Sequence, residues 1–298
     1  MTYDIATLSL MFVGSSVAGF FGALLGIGGG LFIVPMLVLI LHLPMKTAVA
    51  ASIVSVIATS NAGGSKYVDQ HISNVRLAMF LEVFTTVGAL AGSILALYLQ
   101  EWLMLLIFDL LLANMAYSAL ATRGLDDRRI ASGEFATAPQ DRISRQLDLR
   151  GAYHDQAAGR DVQYLVTGAV SGSAISLLAG VASGLLGVGG GVLKVSAMNR
   201  YMNIPLKVAV GTSKLMIGVT AAVSSTLFFA AGAIQFALVG PVALGTTAGA
   251  TAGTMVMNRL NNATLKRILT VLMFYMAYSM VAKALQLRFQ ISLPNIGG

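Results

Sequence analysis

Gly26-Ile27-Gly28-Gly29-Gly30 and Gly187-Val188-Gly189-Gly190-Gly191 are one stretch written twice, 161 residues apart. The same shift carries Leu24-Leu25 onto Leu185-Leu186 and Ala18-Gly19 onto Ala179-Gly180. It carries Pro44 onto Pro205, Lys46 onto Lys207, Ala48-Val49 onto Ala209-Val210 and Ser52 onto Ser213. Further on, Gly88 and Gly92 meet Gly249 and Gly253, and Met115-Ala-Tyr-Ser118 meets Met276-Ala-Tyr-Ser279. A register held without gaps from Ala18 to Ser118 marks a duplication.

Composition says where the duplicated unit resides. Of 298 residues, 56% are hydrophobic and 10% are charged, against about 25% charged in soluble domains. Mean hydropathy is +0.80. A water-soluble enzyme of this composition would lack the polar surface it needs. Cysteine is absent, and His42, His71 and His154 are scattered. Disulfides, thiolate metal sites and cysteine nucleophiles are therefore excluded, and neither a metal nor a cofactor is expected. The apolar stretches are 5–25, 30–44, 47–65, 77–99 and 102–122, then 164–186, 191–204, 208–230, 235–257 and 264–286. Most approach the roughly 20 residues that span a bilayer as a helix. The expected fold is all-α: a polytopic transmembrane bundle of two repeats. In each repeat a glycine run breaks the first apolar unit. In lipid such a break must be buried in protein or line a wet cavity, so the unit is either two crossing helices or a re-entrant hairpin.

The charges divide the chain. Residues 123–161 hold fourteen of the thirty-one charged side chains, seven of each sign. We read them as a charged, solvated, partly helical cytoplasmic linker between a first membrane repeat, 1–122, and a second, 162–298. Topology follows from parity. If each glycine-broken unit is a hairpin, the halves are inverted. Fourteen basic residues then share the linker's side, and only Lys46, Lys283 and Arg288 face away. Parallel halves would leave eleven against six. The positive-inside bias favours inversion. The net charge of +7 is thus a topology signal and calls for no nucleic acid. Met1-Thr-Tyr-Asp4 lacks the basic n-region of a cleavable signal peptide.

Duplicated membrane halves with broken helices are the plan of secondary transporters. Gly28, Gly29 and Gly30 open one helix, and Gly189, Gly190 and Gly191 open its counterpart. Helix N-termini present free N–H groups and a positive dipole end. Two of them meeting near the midplane would hold an anion. Two lysines of the second half sit inside apolar runs, Lys194 and Lys214. Their counterparts are Ile33 and Ile53, so the fold does not need them, and an ionisable group at depth is read as functional. Ser52, Thr212 and Ser213 offer hydroxyls beside them. Glu82 and Asp109 are the acids at depth. Either is a candidate for carrying a coupling proton, for pairing with a lysine of the second half, or for sitting near an interface. Asn61 and Asn114 are assigned to helix–helix hydrogen bonding. Gly88-x-x-x-Gly92 and Gly249-x-x-x-Gly253 serve either internal packing or a homodimer.

The two GxGGG blocks, each followed about fourteen residues later by Pro-x-Lys-x-Ala-Val on a duplicated membrane plan, resemble the sulfite exporter TauE/SafE family of membrane permeases. The resemblance covers both halves outside the linker. It implies a multi-pass protein of the bacterial inner membrane whose substrate is a small sulfur-containing anion, sulfite or an organosulfonate such as sulfoacetate. Ser196 stands where Pro35 does, so the two hairpins need not move alike. The reading is a secondary transporter working by alternating access, its partners being the anion and the lipid bilayer. The alternative is a channel for small anions or solutes. No Walker-type GxxxxGK[ST] is present, which argues against ATP drive. No catalytic constellation lies at depth, so the chain is not read as an enzyme.

Overall fold

The computed structural model describes residues 4–25, 28–69, 72–121, 129, 133–155, 159–257 and 262–289. Gly26, Ile27, His71 and the charges at 123–128 lie outside the described residues, as do the side chains of Lys66, Arg259, Lys266 and Arg267. The first half forms α1 (Ile5–Leu25), α2 (Gly30–Leu39), α3 (Met45–Asp69), α4 (Val75–Tyr98) and α5 (Glu101–Ala121). The second forms α6 (Ala169–Leu186), α7 (Gly191–Tyr201), α8 (Leu206–Ala230), α9 (Phe236–Met257) and α10 (Asn262–Phe289). Met79, Val83, Leu110, Leu178, Leu244 and Val271 point outward, each more than 60% exposed. Helices apolar both inward and outward belong in lipid. By length and composition α1, α4, α6, α8 and α9 each suffice to cross a bilayer, as a multi-pass helical membrane protein requires.

The helices pair according to the 161-residue shift. The first helix of each half lies along the fourth of the other: α1 on α9, and α6 on α4. Helix α3 packs on α8, and α5 on α10. Glycine closes the long crossings. Gly88 and Gly92 of α4 abut the backbone carbonyls of Leu177 and Val181 in α6. Gly249 and Gly253 of α9 abut those of Ser16 and Phe20 in α1. The carbonyl partners are themselves 161 residues apart. A side chain at any of these glycines would hold the backbones apart, which is why small residues line close membrane crossings. Both small-residue faces are therefore taken up within one chain.

Ends of helices sort by side. At the start of α4, the Asn74 N–H donates to Thr212 Oγ1 of α8 at 3.0 Å. Nearby, Lys207 meets Asp155 at 2.7 Å and Arg76 meets Asp148 at 2.6 Å. At the other end of α4, Lys46 Nζ donates to the Leu97 carbonyl at 2.6 Å and the Met45 N–H to Glu101 Oε1 at 2.8 Å. So α3 and α8 begin at opposite ends of α4. Lys283, which donates to the Val38 carbonyl, and Arg288, 5.6 Å from the Trp102 ring, belong to the Lys46 end.

Among the described residues of 123–161, a strand hairpin joins the expected solvated, partly helical linker. Two short helices, Glu134–Thr137 and Arg142–Gln146, lead into β1 (Arg150–Asp155). It pairs antiparallel with β2 (Arg160–Leu165), which crosses the 161/162 boundary. Tyr153, Asp155, Val162 and Tyr164 face inward. Tyr153, Val162 and Tyr164, with Phe135, Leu149 and Val166, pack on Leu77, Leu81, Met198, Met202 and Val208 of the helices. The alternation is short and sits among charges, which masks its period of two. Asn74 fastens the hairpin: its Oδ1 caps α4 by accepting the Leu77 N–H at 3.0 Å, and its Nδ2 donates to the Tyr164 hydroxyl at 3.0 Å. Burial pushes the Tyr164 hydroxyl up to about 12, the Asn74 bond opposing. Asn203, in the left-handed region at φ 56°, donates Nδ2 to the Phe135 and Leu165 carbonyls, 3.0 Å each. Asn74→Ala is expected to remove the cap and the tie together. Loss of an N-cap costs about 1 kcal/mol, so trypsin cleavage within 123–161 should speed up about five-fold in a digestion time course.

Candidate functional site

The described parts of the two glycine runs meet against α3 and α8. Gly28 and Gly189 have φ of 78° and 73°, a left-handed turn that glycine adopts without steric cost. Both abut the same two side chains, Val56 of α3 and Ile217 of α8. A Cβ on Gly28 would stand 3.9 Å from each, and one on Gly189 would stand 3.1 Å from Val56 and 2.8 Å from Ile217. Val56 and Ile217 are again 161 residues apart. Gly30 lies against the Gly187 carbonyl and Val188. From this junction α2 departs at Gly30 and α7 at Gly191, so the free N–H groups of two helix starts lie close together.

The hydroxyls expected beside these runs are engaged with backbone. Ser52 donates to the Gly187 carbonyl at 2.8 Å, tying α3 to the other half's run. Ser213 donates to the Gly191 carbonyl at 3.2 Å. Both are fully buried, and each holds a glycine run in place. Thr212 Oγ1 accepts from Asn74 at the hairpin end of α8. The Gly29 carbonyl takes the Phe32 and Ile33 N–H groups, and the Gly190 carbonyl takes that of Lys194. A cavity between Leu31, Leu111, Met115, Val188 and Leu193 holds about 10 Å³, at most one water.

Lys194 and Glu82 are brought together. Lys194 lies in the first turn of α7 and is fully buried. Its Nζ donates to Thr220 Oγ1 of α8 at 2.7 Å and stands 3.9 Å from Glu82 Oε2 of α4. Thr220 Oγ1 is in turn 2.7 Å from Glu82 Oε1 and 2.9 Å from the Met216 carbonyl. Its single proton goes to one or the other. Thr85 and Thr86 add hydroxyls to the Glu82 carboxylate at 2.8 and 3.4 Å. Thr220 is one helical turn beyond Ile217, so the ion pair lies beside the glycine junction. The other copy supplies the contrast: Ile33 stands for Lys194, Ala243 for Glu82 and Thr59 for Thr220. Both charges are lost there together. In that copy Thr246 and Thr247, the counterparts of Thr85 and Thr86, bond the Ala243 carbonyl instead.

The remaining candidates are dispersed. Lys214 is buried, and its carbonyl accepts the Ser60 hydroxyl. Asp109 of α5 has a buried Oδ1 without a hydrogen-bond partner, and no described contact joins it to Lys194 or the glycine runs. Asn61 and Asn114 are exposed on the helix surface. Thr220 is the member that sequence reading misses. Comparing the two copies for charge differences would have pointed to Glu82/Ala243 and Lys194/Ile33, and so to the threonine between them. Among the described residues no group of histidine and acidic side chains is placed to hold a metal.

Residues 11–280 match the family described as Sulfite exporter TauE/SafE. The chain is 26% identical over 250 residues to a probable membrane transporter protein of Xylella fastidiosa strain Temecula1, covering 82% of this chain and 83% of that protein. It is 24% identical to the probable membrane transporter protein YdhB of Bacillus subtilis, covering 86% of this chain and 91% of that one. It is 22% identical to YunE of the same organism, likewise a probable membrane transporter protein, over 89% and 94% of the two chains. No solved structure matches the chain significantly.

Proposed function

We propose a substrate and a mechanism for this chain, which belongs to the sulfite exporter TauE/SafE family and is a membrane transporter. The substrate is a small sulfur-containing anion, sulfite or an organosulfonate such as sulfoacetate, carried across a bacterial inner membrane. The halves are inverted repeats, a reading supported by α3 and α8 starting from opposite ends of α4 and by the reciprocal pairing of α1 with α9 and α6 with α4. The glycine-broken units are hairpins whose tips meet near the midplane. The anion sits at their junction, met by the N–H groups at Gly28–Gly30 and Gly189–Gly191. Lys194 compensates its charge, with Lys214 as a second cation of the same half. Ser52, Ser213 and Thr212 hold the runs and α8 in register. Alternating access moves one hairpin-bearing part against the other.

One observation carries this reading: a fully buried ammonium one helical turn from the point where both glycine runs converge. A buried cation is costly unless it is paired, and at membrane depth it marks a substrate path. The test is uptake of sulfite and of sulfoacetate into liposomes holding the purified protein, under imposed proton gradients. Saturable uptake is expected, with counter-flow. Lys194→Ala should reduce it at least tenfold, the effect of about 1.4 kcal/mol. Absence of saturable flux for either anion under every gradient would defeat the proposal.

A further inference from the structure

We propose that Glu82 is a built-in competitor for the transported anion, and that its displacement from Lys194 couples one proton to each anion carried. The inference rests on the transporter reading and adds the co-substrate.

The argument starts from donors. An ammonium has three N–H donors. The bond to Thr220 uses one, and Glu82 Oε2, at 3.9 Å, is within ion-pair range but beyond hydrogen-bond range. Glu82 therefore neutralises Lys194 without saturating it. A sulfonate or sulfite oxygen makes direct, shorter bonds to the same nitrogen, so it can replace the carboxylate as counter-charge. Ser224 points the same way. It lies four residues past Thr220, hence on the same face of α8, and it is fully buried with an Oγ that has no partner. Its counterpart in the other copy is Gly63, so this hydroxyl accompanies the charge pair and serves no duty common to the repeats. An orphan buried hydroxyl is unusual, and an anion oxygen beside Lys194 would satisfy it.

Exchange has a consequence for Glu82. With the anion on Lys194, the carboxylate would be a second negative charge in the same low-dielectric space, without a cation. It takes a proton from water and becomes a neutral acid. Thr85 and Thr86 remain as its hydrogen-bond partners. Release of the anion on the other side reverses this: the acid gives up the proton and the carboxylate returns to Lys194. Each cycle moves one anion and one proton in the same direction. Among the described residues the surroundings supply no substitute acid. Helix α6, packed along α4, has no titratable side chain. Helix α7 brings Lys194, Arg200 and Tyr201, and α8 brings Lys207 and Lys214. Lys207 is held by Asp155 beyond the end of α4.

Sulfoacetate is the probe, since between about pH 6 and about 8 both its acid groups are ionised and it carries no proton of its own. Purified protein in weakly buffered detergent with a pH dye is mixed with sulfoacetate, and the same protein in liposomes is assayed for flux with a lumenal dye. The wild type should take up close to one proton per anion bound and acidify the lumen as sulfoacetate enters. Glu82→Gln should bind the anion while taking up no proton, and its flux should lose proton coupling. The double variant Glu82→Ala with Lys194→Ile uses the residues of the other copy, and should run as a monodisperse peak while losing both anion binding and proton uptake. Saturable flux without proton movement in the wild type, or coupling that persists in Glu82→Gln, would overturn the inference and leave the transporter standing. Absence of any anion flux in the wild type would defeat both.

Discussion

Glu82→Ala is expected to lower the stability of the protein by about 3–5 kcal/mol, and adding Lys194→Ile is expected to restore most of it. Lys194 is fully buried. Removing its counter-charge leaves an ammonium without compensation, the costly way to break a buried ion pair. Replacing both partners with apolar residues of fitting shape is commonly neutral or stabilising. Here the fit has a precedent in the chain itself, because Ala243 and Ile33 occupy the equivalent places around Thr59. Thermal unfolding of the two variants in detergent, followed by light scattering and intrinsic fluorescence, reads the effect. A double variant as unstable as Glu82→Ala would show that the loss comes from packing around α4 and not from the stranded charge.

Gly249→Val should cost more, to the point that little folded protein is recovered. A Cβ there runs into the Ser16 carbonyl of α1. Both are backbone-anchored, so only separation of α1 and α9 relieves the clash. That crossing between the halves is the most extensive helix pairing among the described residues, and in lipid it has no hydrophobic force to draw it together again. Gly240 lies on the same helix with nothing within 4 Å of its missing Cβ. Gly240→Ala is therefore the control, expected to fold: its Cβ meets no other element, and the gain from replacing a helix-weakening glycine is offset by the following Pro241, which disfavours helical backbone at a preceding residue with a Cβ. Recovery of a monodisperse peak for both variants, at equal expression, would refute the backbone-contact account.

Much of the helical plan was legible because the sequence repeats itself. Apolar stretches at matching positions became α1–α5 and α6–α10, with the glycine runs between the first two of each set. Charge position was informative for the same reason: Arg76 and Lys207 lie at the hairpin end, while Lys46, Lys283 and Arg288 lie at the other. The hairpin at 150–165 was not legible. Its inward residues number only a few per strand, its outward ones include Arg150, His154, Arg160 and Asp161, and its core is completed by Leu77, Met198 and Val208 from distant elements. The site was legible in its parts and not in its joins. Lys194 and Glu82 stand out as charges at depth, yet their meeting depends on α4, α7 and α8 crossing at one level, which no local pattern encodes. Ser52 and Ser213 were expected as donors to a ligand. The Ser52 proton goes to the Gly187 carbonyl, which has lost its helical partner where α6 ends, and the Ser213 proton to the Gly191 carbonyl at the start of α7.

The reciprocal grip of α1 by α9 and of α4 by α6 also governs how the chain is made. About 210 residues separate the end of α1 from the start of α9. At a synthesis rate of roughly 5–20 residues per second, α1 waits on the order of tens of seconds for its partner. Through that interval the backbone carbonyls of Ser16 and Phe20 lie open in the bilayer, while the glycine face of α4 waits only about 70 residues, for α6. Neither half is a finished object when it leaves the ribosome, and the protein's biogenesis requires something, lipid or insertion machinery, to occupy those grooves until the second half arrives.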